Sequence, residues 1–361
     1  MKKRLIELDF IRGVAILAVM AYHYIDKPSV PSSARWITVV SGSGWAGVDL
    51  FFVLSGYLVA GLLFSEYERT DNIRFGRFLA RRALKIWPSY YFYLLFQVIV
   101  RRHPISTFLV QNLSNLQNYL GTSLEHTWSL AVEEHFYVFL VIMLLIWRVD
   151  RLPSIWIFKV CLTACLAILI LRVTLVLMGH TTGIVAYTHT RLDSMLFGVI
   201  LAWISFFNQP FFQKLLKAKY TLLTVTALAC VFALIVPKPS PAMLTIGFTV
   251  LYLGAGAFIL LVSGHAGRVK GWIPFKVVAW LGFYSYTIYL WHLSVREPIR
   301  NILGRLRMGS VYWWLGPILD SVAAVAIAVI ASRALEWPIL KMRDKLMPEK
   351  QIRAVAPELA G

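Results

Sequence analysis

Apolar runs of about 17 to 25 residues recur along the chain, separated by short polar or basic stretches. A helix needs roughly 20 apolar residues to cross a bilayer, so these runs read as spanning helices. They lack the strict apolar–polar alternation of a membrane barrel strand. The pattern places spans near 8–25, 45–64, 86–100, 127–147, 153–178, 193–208, 220–236, 242–263, 277–295 and 312–335. The expected fold is all-α, a polytopic bundle of about ten transmembrane helices with both termini on one side. Aromatic residues gather at run ends, in WPSYYFY (87–93), HTWSL (126–130) and YWWLG (312–316), as in an interfacial belt. No repeat or low-complexity segment interrupts the pattern. The chain reads as one integral membrane domain, 1–345, with a short charged tail, 346–361.

Composition agrees. Of 361 residues, 58% are hydrophobic and only 15% charged, and the mean hydropathy is +0.67. A soluble domain carries nearer a quarter charged residues. The net charge of +18 suggests nucleic acid only until its distribution is read. On the predicted topology about 24 Lys and Arg residues fall on the side of the termini and about 10 on the other. That bias places both termini in the cytoplasm and makes the charge a matter of topology and anionic lipid, with no nucleic-acid partner. MKKR followed by an apolar run imitates a signal peptide. The run carries Asp9 and Arg12 and no small-residue cleavage site, so it reads as a retained first helix. Cys161, Cys165 and Cys230 lie within spans without metal-ligand spacing, so they read as small hydrophobes and no metal is expected.

The chemistry begins in the first span. Within LDFIRGVAILAVMAYHY (8–24), Asp9, Arg12 and His23 interrupt an apolar stretch. At about 100° per residue, Arg12 and His23 differ by about 20° around the helix and by roughly 16 Å along it. Asp9 lies one turn before Arg12 on nearly the same line. Ionisable groups at membrane depth face a protein interior or a water-filled path.

Other segments add to that stripe. GSGWAGVDLFFVLSGYLVAGLL (42–63) holds Asp49 and a mid-helix Ser55-Gly56, where a neighbouring helix or a narrow ligand arm can approach the backbone. IRFGRFLARRALKIWPSYY (73–91) spaces Arg74, Arg77, Arg81, Arg82 and Lys85 as a basic amphipathic surface helix that ends where Trp87-Pro88 opens the next span. Lipid contact explains it, and so does an anion site, since Arg82 and Lys85 share a face able to clamp a pyrophosphate. HTWSLAVEEHFYVFLV (126–141) sets Glu133, Glu134 and His135 in succession inside a span; at most two can face one cavity. A Glu–His pair across helices makes an oriented general base, and an ion pair with Arg172 or Arg12 competes. Arg191 and Asp193 stand at a helix entrance and read as a salt-bridged cap. His292 is a second intramembrane candidate or an interfacial histidine. Glu336, before a proline, reads as a helix end. His103, His126, His180, His189 and His265 fall in loops. No nucleotide-cradling glycine loop, HExxH or GxSxG is present.

Taken in order, LDFIRG with His23, GVDLFFVLSGY, RRALKIWP, WSLAVEEHFY, RLDSMLFG and SYTIYLWH resemble the acyltransferase-3 family of integral membrane O-acyltransferases over roughly 8–340. Lys85 stands where that family often has arginine, and His135 where it often has glutamine. The resemblance implies transfer of an acyl group, commonly acetyl, from cytoplasmic acetyl-CoA to a hydroxyl of an extracytoplasmic sugar or glycan such as lipopolysaccharide, in the bacterial cytoplasmic (inner) membrane. Acyl-CoA enters as co-substrate and no tightly bound cofactor is implied. The expected roles follow. Arg82, Lys85 and Arg81 hold the CoA phosphates; the pantetheine arm passes Arg12, Ser55 and Gly56; His23 deprotonates the acceptor, directly or through an acyl-His step; Glu134 or Glu133 orients it. The competing class is a multi-helix transporter of a small anionic or glycan substrate. Against it stand the lack of repeated halves and of paired broken helices.

Overall fold

The computed structural model describes residues 5–25, 29–101, 105–122, 124–146, 155–306 and 311–348. Among them the secondary structure is helical, with no strand. The order is α1 (Ile6–Tyr24), α2 (Arg35–Gly42), α3 (Gly47–Thr70), α4 (Phe75–Arg101), α5 (Ile105–Leu113), α6 (Gln117–Leu120), α7 (Trp128–Ile146) and α8 (Ile155–Leu177). Then come α9 (Thr188–Phe207), α10 (Gln209–Lys217), α11 (Lys219–Ile235), α12 (Phe248–His265), α13 (Ile273–Phe283), α14 (Ser285–Arg305), α15 (Tyr312–Ala331) and α16 (Trp337–Leu346). Most of the expected tail, from 349 onward, lies outside the described residues.

Seven helical stretches among the described residues are long and apolar enough to cross a membrane, and eight if the α10–α11 pair, bent by 72°, is one span. Two expected spans drop out of that set for definite reasons. The first run forms α1, of 19 residues, but Glu7, Asp9 and Arg12 make it too charged to pass on composition. The run expected at 277–295 is broken at Tyr284 into an 11-residue apolar helix, α13, and a separate α14 bearing Arg296, Glu297 and Arg300.

The basic segment also differs from its sequence reading. Instead of a surface helix ending at Trp87-Pro88, it is the first half of one helix, α4, with Pro88 inside. A membrane helix absorbs the missing N–H because its neighbours can satisfy the freed carbonyl. The basic face of α4 borders a cavity described below, so the chain has no need to turn along a surface. Glu336 likewise ends no helix. It sits in a π turn, Ser332–Glu336, that joins α15 to α16, and it accepts from Thr287 Oγ1 at 3.0 Å and Ser332 Oγ at 2.8 Å.

Two close crossings hold the site's helices. α3 meets α9 at Gly56 and Gly198: a Cβ on Gly56 would lie 2.0 Å from the Met195 carbonyl oxygen, and one on Gly198 would lie 2.2 Å from that of Val53. α1 meets α13, with Phe10 and Phe275 stacked at 4.1 Å between centroids. The core around them is closely packed, with Ile11, Ile16, Val19, Val53 and Phe136 fully buried. Cys161 and Cys165 are buried and Cys230 exposed, as small apolar residues of a membrane bundle would be.

Candidate functional site

Among the described residues, three groups of ionisable side chains inside the bundle bear on the candidate site. The first is a histidine cluster at the end of α1. His23 Nδ1 lies 3.0 Å from the Val19 carbonyl oxygen and 3.2 Å from His292 Nε2. A carbonyl can only accept, so His23 Nδ1 carries the proton. His292 Nδ1 lies 2.6 Å from the Tyr289 carbonyl oxygen and by the same rule is protonated, which leaves His292 Nε2 as a lone pair facing His23. The His23 proton is therefore shared between two acceptors, and the lone pair of its imidazole is left on Nε2. That is the tautomer a general base needs. His292 is fully buried and Tyr24, whose hydroxyl donates to the His292 carbonyl at 2.9 Å, backs it. His126 completes the cluster, its ring 5.3 Å from that of His292. His126 Nε2 faces the Leu290 carbonyl at 3.2 Å, while its Nδ1 is buried with no partner. Sequence reading set His126 aside as a loop residue. It lies in the tight turn Glu125–Thr127 that leads into α7 and is buried, and only its long-range contact with α14 reveals it.

The second group surrounds a cavity of about 420 Å³. Cations from four helices and the turn before α4 line it: Arg12 of α1, Arg69 of α3, Arg74 just ahead of α4, Arg77, Arg81, Arg82 and Lys85 of α4, and Arg343 of α16. Glu66 and Glu133 are the carboxylates among its lining residues. The sequence-predicted Arg12, Ser55, Arg81, Arg82, Lys85 and Glu133 thus share one space. Arg12 Nη1 also pairs with the buried Asp9 at 3.1 Å. Arg82 lies over the Phe78 and Tyr137 rings, at 5.6 and 5.7 Å from their centroids. Arg81 is shared with the C-terminal helix, pairing with Asp344 at 3.1 Å, and Arg81 and Arg77 donate to the carbonyls of Met347 and Pro348.

Three expected members, Gly56, Glu133 and Glu134, do not stand where the sequence places them. Gly56 faces α9, not the cavity; its missing side chain serves the helix crossing already described, because adjacent positions on α3 diverge by about 100°. The glutamates are not hydrogen-bonded to His23. Glu133 accepts from the Tyr137 hydroxyl at 3.0 Å, with Ser55 Oγ 3.3 Å from the same hydroxyl. Glu134 accepts from Trp87 Nε1 at 3.0 Å. Both lie about two turns along α7 from His126, the α7-side histidine of the cluster, so they stand too far down the helix axis to reach it. His292 takes the place beside His23 that sequence reading gave to a glutamate. His135 contacts Thr188 Oγ1 at 2.6 Å, on another face.

Between the cavity and the histidines stands Tyr289. It lines the cavity together with Ser129, and its hydroxyl lies 2.6 Å from Ser129 Oγ and donates to the His126 carbonyl at 2.7 Å. Its ring lies 5.5 Å from His292 and 5.9 Å from His126. Tyr289 thus partitions the cationic cavity from the imidazoles.

The third group is an ion-pair tetrad. Arg191 Nη2 pairs with Asp49 at 2.6 Å, and Arg172 Nη1 with Asp193 at 2.7 Å; all four side chains are at most 1% exposed. Arg172 also donates to the Thr190 and Thr245 carbonyls and to Thr249 Oγ1. Ser194 donates to Asp49 at 3.3 Å, and Phe248 lies under the Arg191 guanidinium at 3.6 Å. Arg191 and Asp193 are therefore interior residues tying α3, α8 and α9, not an entrance cap. Arg172 goes to Asp193 rather than to a glutamate. No cluster of His, Cys, Asp and Glu suited to a metal ion occurs among the described residues.

The acyltransferase-3 family model, an acyltransferase domain, matches residues 5–337, and the chain belongs to that family. It is 27% identical over 370 residues to the peptidoglycan O-acetyltransferase OatA of Listeria monocytogenes, covering 94% of this chain and 56% of that protein. It is 27% identical over 376 residues to the O-acetyltransferase OatA of Staphylococcus aureus, covering 95% and 59%. The chain thus spans a little over half the length of these relatives. No solved structure matches it.

Proposed function

We propose that the chain is a multi-pass O-acetyltransferase of the bacterial cytoplasmic membrane, moving an acetyl group from cytoplasmic acetyl-CoA to a hydroxyl of an extracytoplasmic glycan. The relatives' names support the reaction and suggest peptidoglycan as one acceptor. The observation that carries the reading is the juxtaposition of two unlike spaces across Tyr289. One is a cavity rich in arginine, the residue type suited to phosphate. The other is an imidazole cluster whose tautomers leave a lone pair on His23 Nε2. In this topology both termini and the basic half of α4 are cytoplasmic, and the end of α1 at His23 faces outward.

The donor's phosphates rest against Arg82, Lys85, Arg77 and Arg343, and its pantetheine arm extends past Ser55 and Arg12 toward Ser129. The roughly 16 Å between Arg12 and His23 is comparable to such an extended arm. Tyr289 turns aside to bring the thioester carbonyl to His23. There His23 Nε2 takes the proton of the acceptor hydroxyl, the hydroxyl oxygen attacks the carbonyl carbon, and the C–S bond breaks. The leaving thiolate takes up the proton from the imidazolium, giving free CoA and the ester. His292, through its lone pair, holds the His23 ring and its Nδ1 proton in place. Glu133 acts within the donor cavity, on Tyr137 and the Arg82–Lys85 pair.

The test is release of CoA from acetyl-CoA by purified protein with soluble peptidoglycan fragments added. His23→Ala lowers the rate by about 100-fold or more while leaving the melting temperature within a degree or two. Retained turnover removes His23 as the base. A transporter would release no CoA in either form.

A further inference from the structure

Lys238 lies in the loop between α11 and α12, and its side chain is only half-buried. Its Nζ stands 5.5 Å from the Tyr22 ring centroid and 5.4 Å from that of Trp45, within the reach of a cation–π contact to both. The Tyr22 ring in turn meets the His23 ring edge-on, 5.0 Å between centroids. The ammonium therefore sits two aromatic contacts from the imidazole.

No carboxylate pairs with Lys238 among the described residues. Asp49 is committed to Arg191, and Glu125 acts on Lys238 only at a distance from an exposed position. Burial first, then the Arg191 guanidinium, holds the Lys238 ammonium below the ordinary lysine range. A partly desolvated cation without a counter-charge is a costly thing to keep unless an anion arrives. The charged side chains that bear on His23, Arg296 and Lys238, have the same sign. A base that must become an imidazolium beside two cations gains if its substrate brings a negative charge with it.

We infer that Lys238, Tyr22 and Trp45 form the acceptor subsite, and that it takes a sugar carrying an anionic substituent, carboxylate or phosphate. The inference rests on the acyl-transfer reading above for its meaning, and names the acceptor class that reading left open. In the free protein the ammonium occupies the aromatic faces. When the acceptor enters, the anion draws the ammonium off the rings, and a sugar ring takes its place against Tyr22, with its hydroxyl toward His23. A lysine suits this use because its flexible stem lets a compact charge move.

The test is calorimetric titration of the detergent-purified full chain with three probes: trigalacturonate, its carboxyl-reduced neutral trimer, and a phosphorylated maltotriose. The wild type is expected to bind at least one anionic probe about tenfold more tightly than the neutral one. Preference for the first or the last identifies carboxylate or phosphate as the group read. Lys238→Met brings the ratio to about one, and Lys238→Arg, which keeps the charge, retains it; melting curves of both variants check folding. A wild type without the preference overturns the subsite, as does a Lys238→Met protein that keeps it. Release of CoA with the same probes separates the two claims. Preferential binding with no CoA release from any acceptor, soluble peptidoglycan fragments included, sinks the acyl-transfer reading and leaves the subsite standing.

Discussion

The tetrad and the cationic cavity are both built from charges inside a membrane bundle, yet they are opposites. In the tetrad two guanidiniums meet two carboxylates, and backbone carbonyls and a hydroxyl take further N–H groups of Arg172, while Arg191 Nε and Nη1 stay without a hydrogen-bond partner. In the cavity eight cations face an open volume with two carboxylates among them. Desolvated charge is expensive, so a protein keeps it only when it is paired or when a ligand will pair it. The tetrad is balanced in charge, and we read it as structural. The cavity is lined by more cations than carboxylates, and in the proposed function a polyanionic donor supplies the balance.

That contrast can be broken most severely at Asp49. Asp49→Ala leaves Arg191 buried without its partner and is expected to cost about 3–5 kcal/mol of stability, read as a large fall in melting temperature. The double replacement Asp49→Leu with Arg191→Leu recovers most of it. A stable Asp49→Ala protein that has lost only turnover would move the tetrad into the working site. Next in size is the cavity. Replacing Arg82 and Lys85 together by Met is expected to raise the KM for acetyl-CoA about tenfold or more with no fall in melting temperature, since it removes two like charges crowded on one face of α4. An unchanged donor KM with a lowered melting temperature would make these residues structural like the tetrad. The smallest effect belongs to Arg343 on α16, which already pairs with Asp344 at 2.8 Å. Arg343→Ala should raise the donor KM only about threefold, because a partly exposed cation is screened by water. A loss as large as that of the Arg82–Lys85 pair would place the phosphates at the C-terminal helix.

Much of this was legible in the chain itself, where local periodicity governs. The α1 stripe follows from residue spacing alone: Arg12 does line the cavity and His23 does end at the imidazole cluster. Arg82 and Lys85 share the cavity for the same reason, three positions apart on one helix. What could not be read is what depends on partners remote in sequence. His292 lies 269 positions from His23, and nothing in its span distinguishes it from an interfacial histidine. His126 looked like a loop residue because the helix it leads into begins just after it. Gly56 is ambiguous in any sequence, since a glycine admits a ligand or a helix equally; the Met195 carbonyl decides it. The break at Tyr284 is likewise invisible in an unbroken apolar run. Pro88, a breaker by rule, is absorbed into α4.

The central claim is that the acetyl group enters at the cationic cavity and leaves at the histidines, on opposite faces of the bilayer. Proteoliposomes with inserted protein test it, with [14C]acetyl-CoA on the cytoplasmic face and soluble peptidoglycan fragments on the other. The account predicts labelled ester on the fragments across the membrane from the donor, and none with His23→Ala. Label found only when donor and acceptor share one compartment would contradict it.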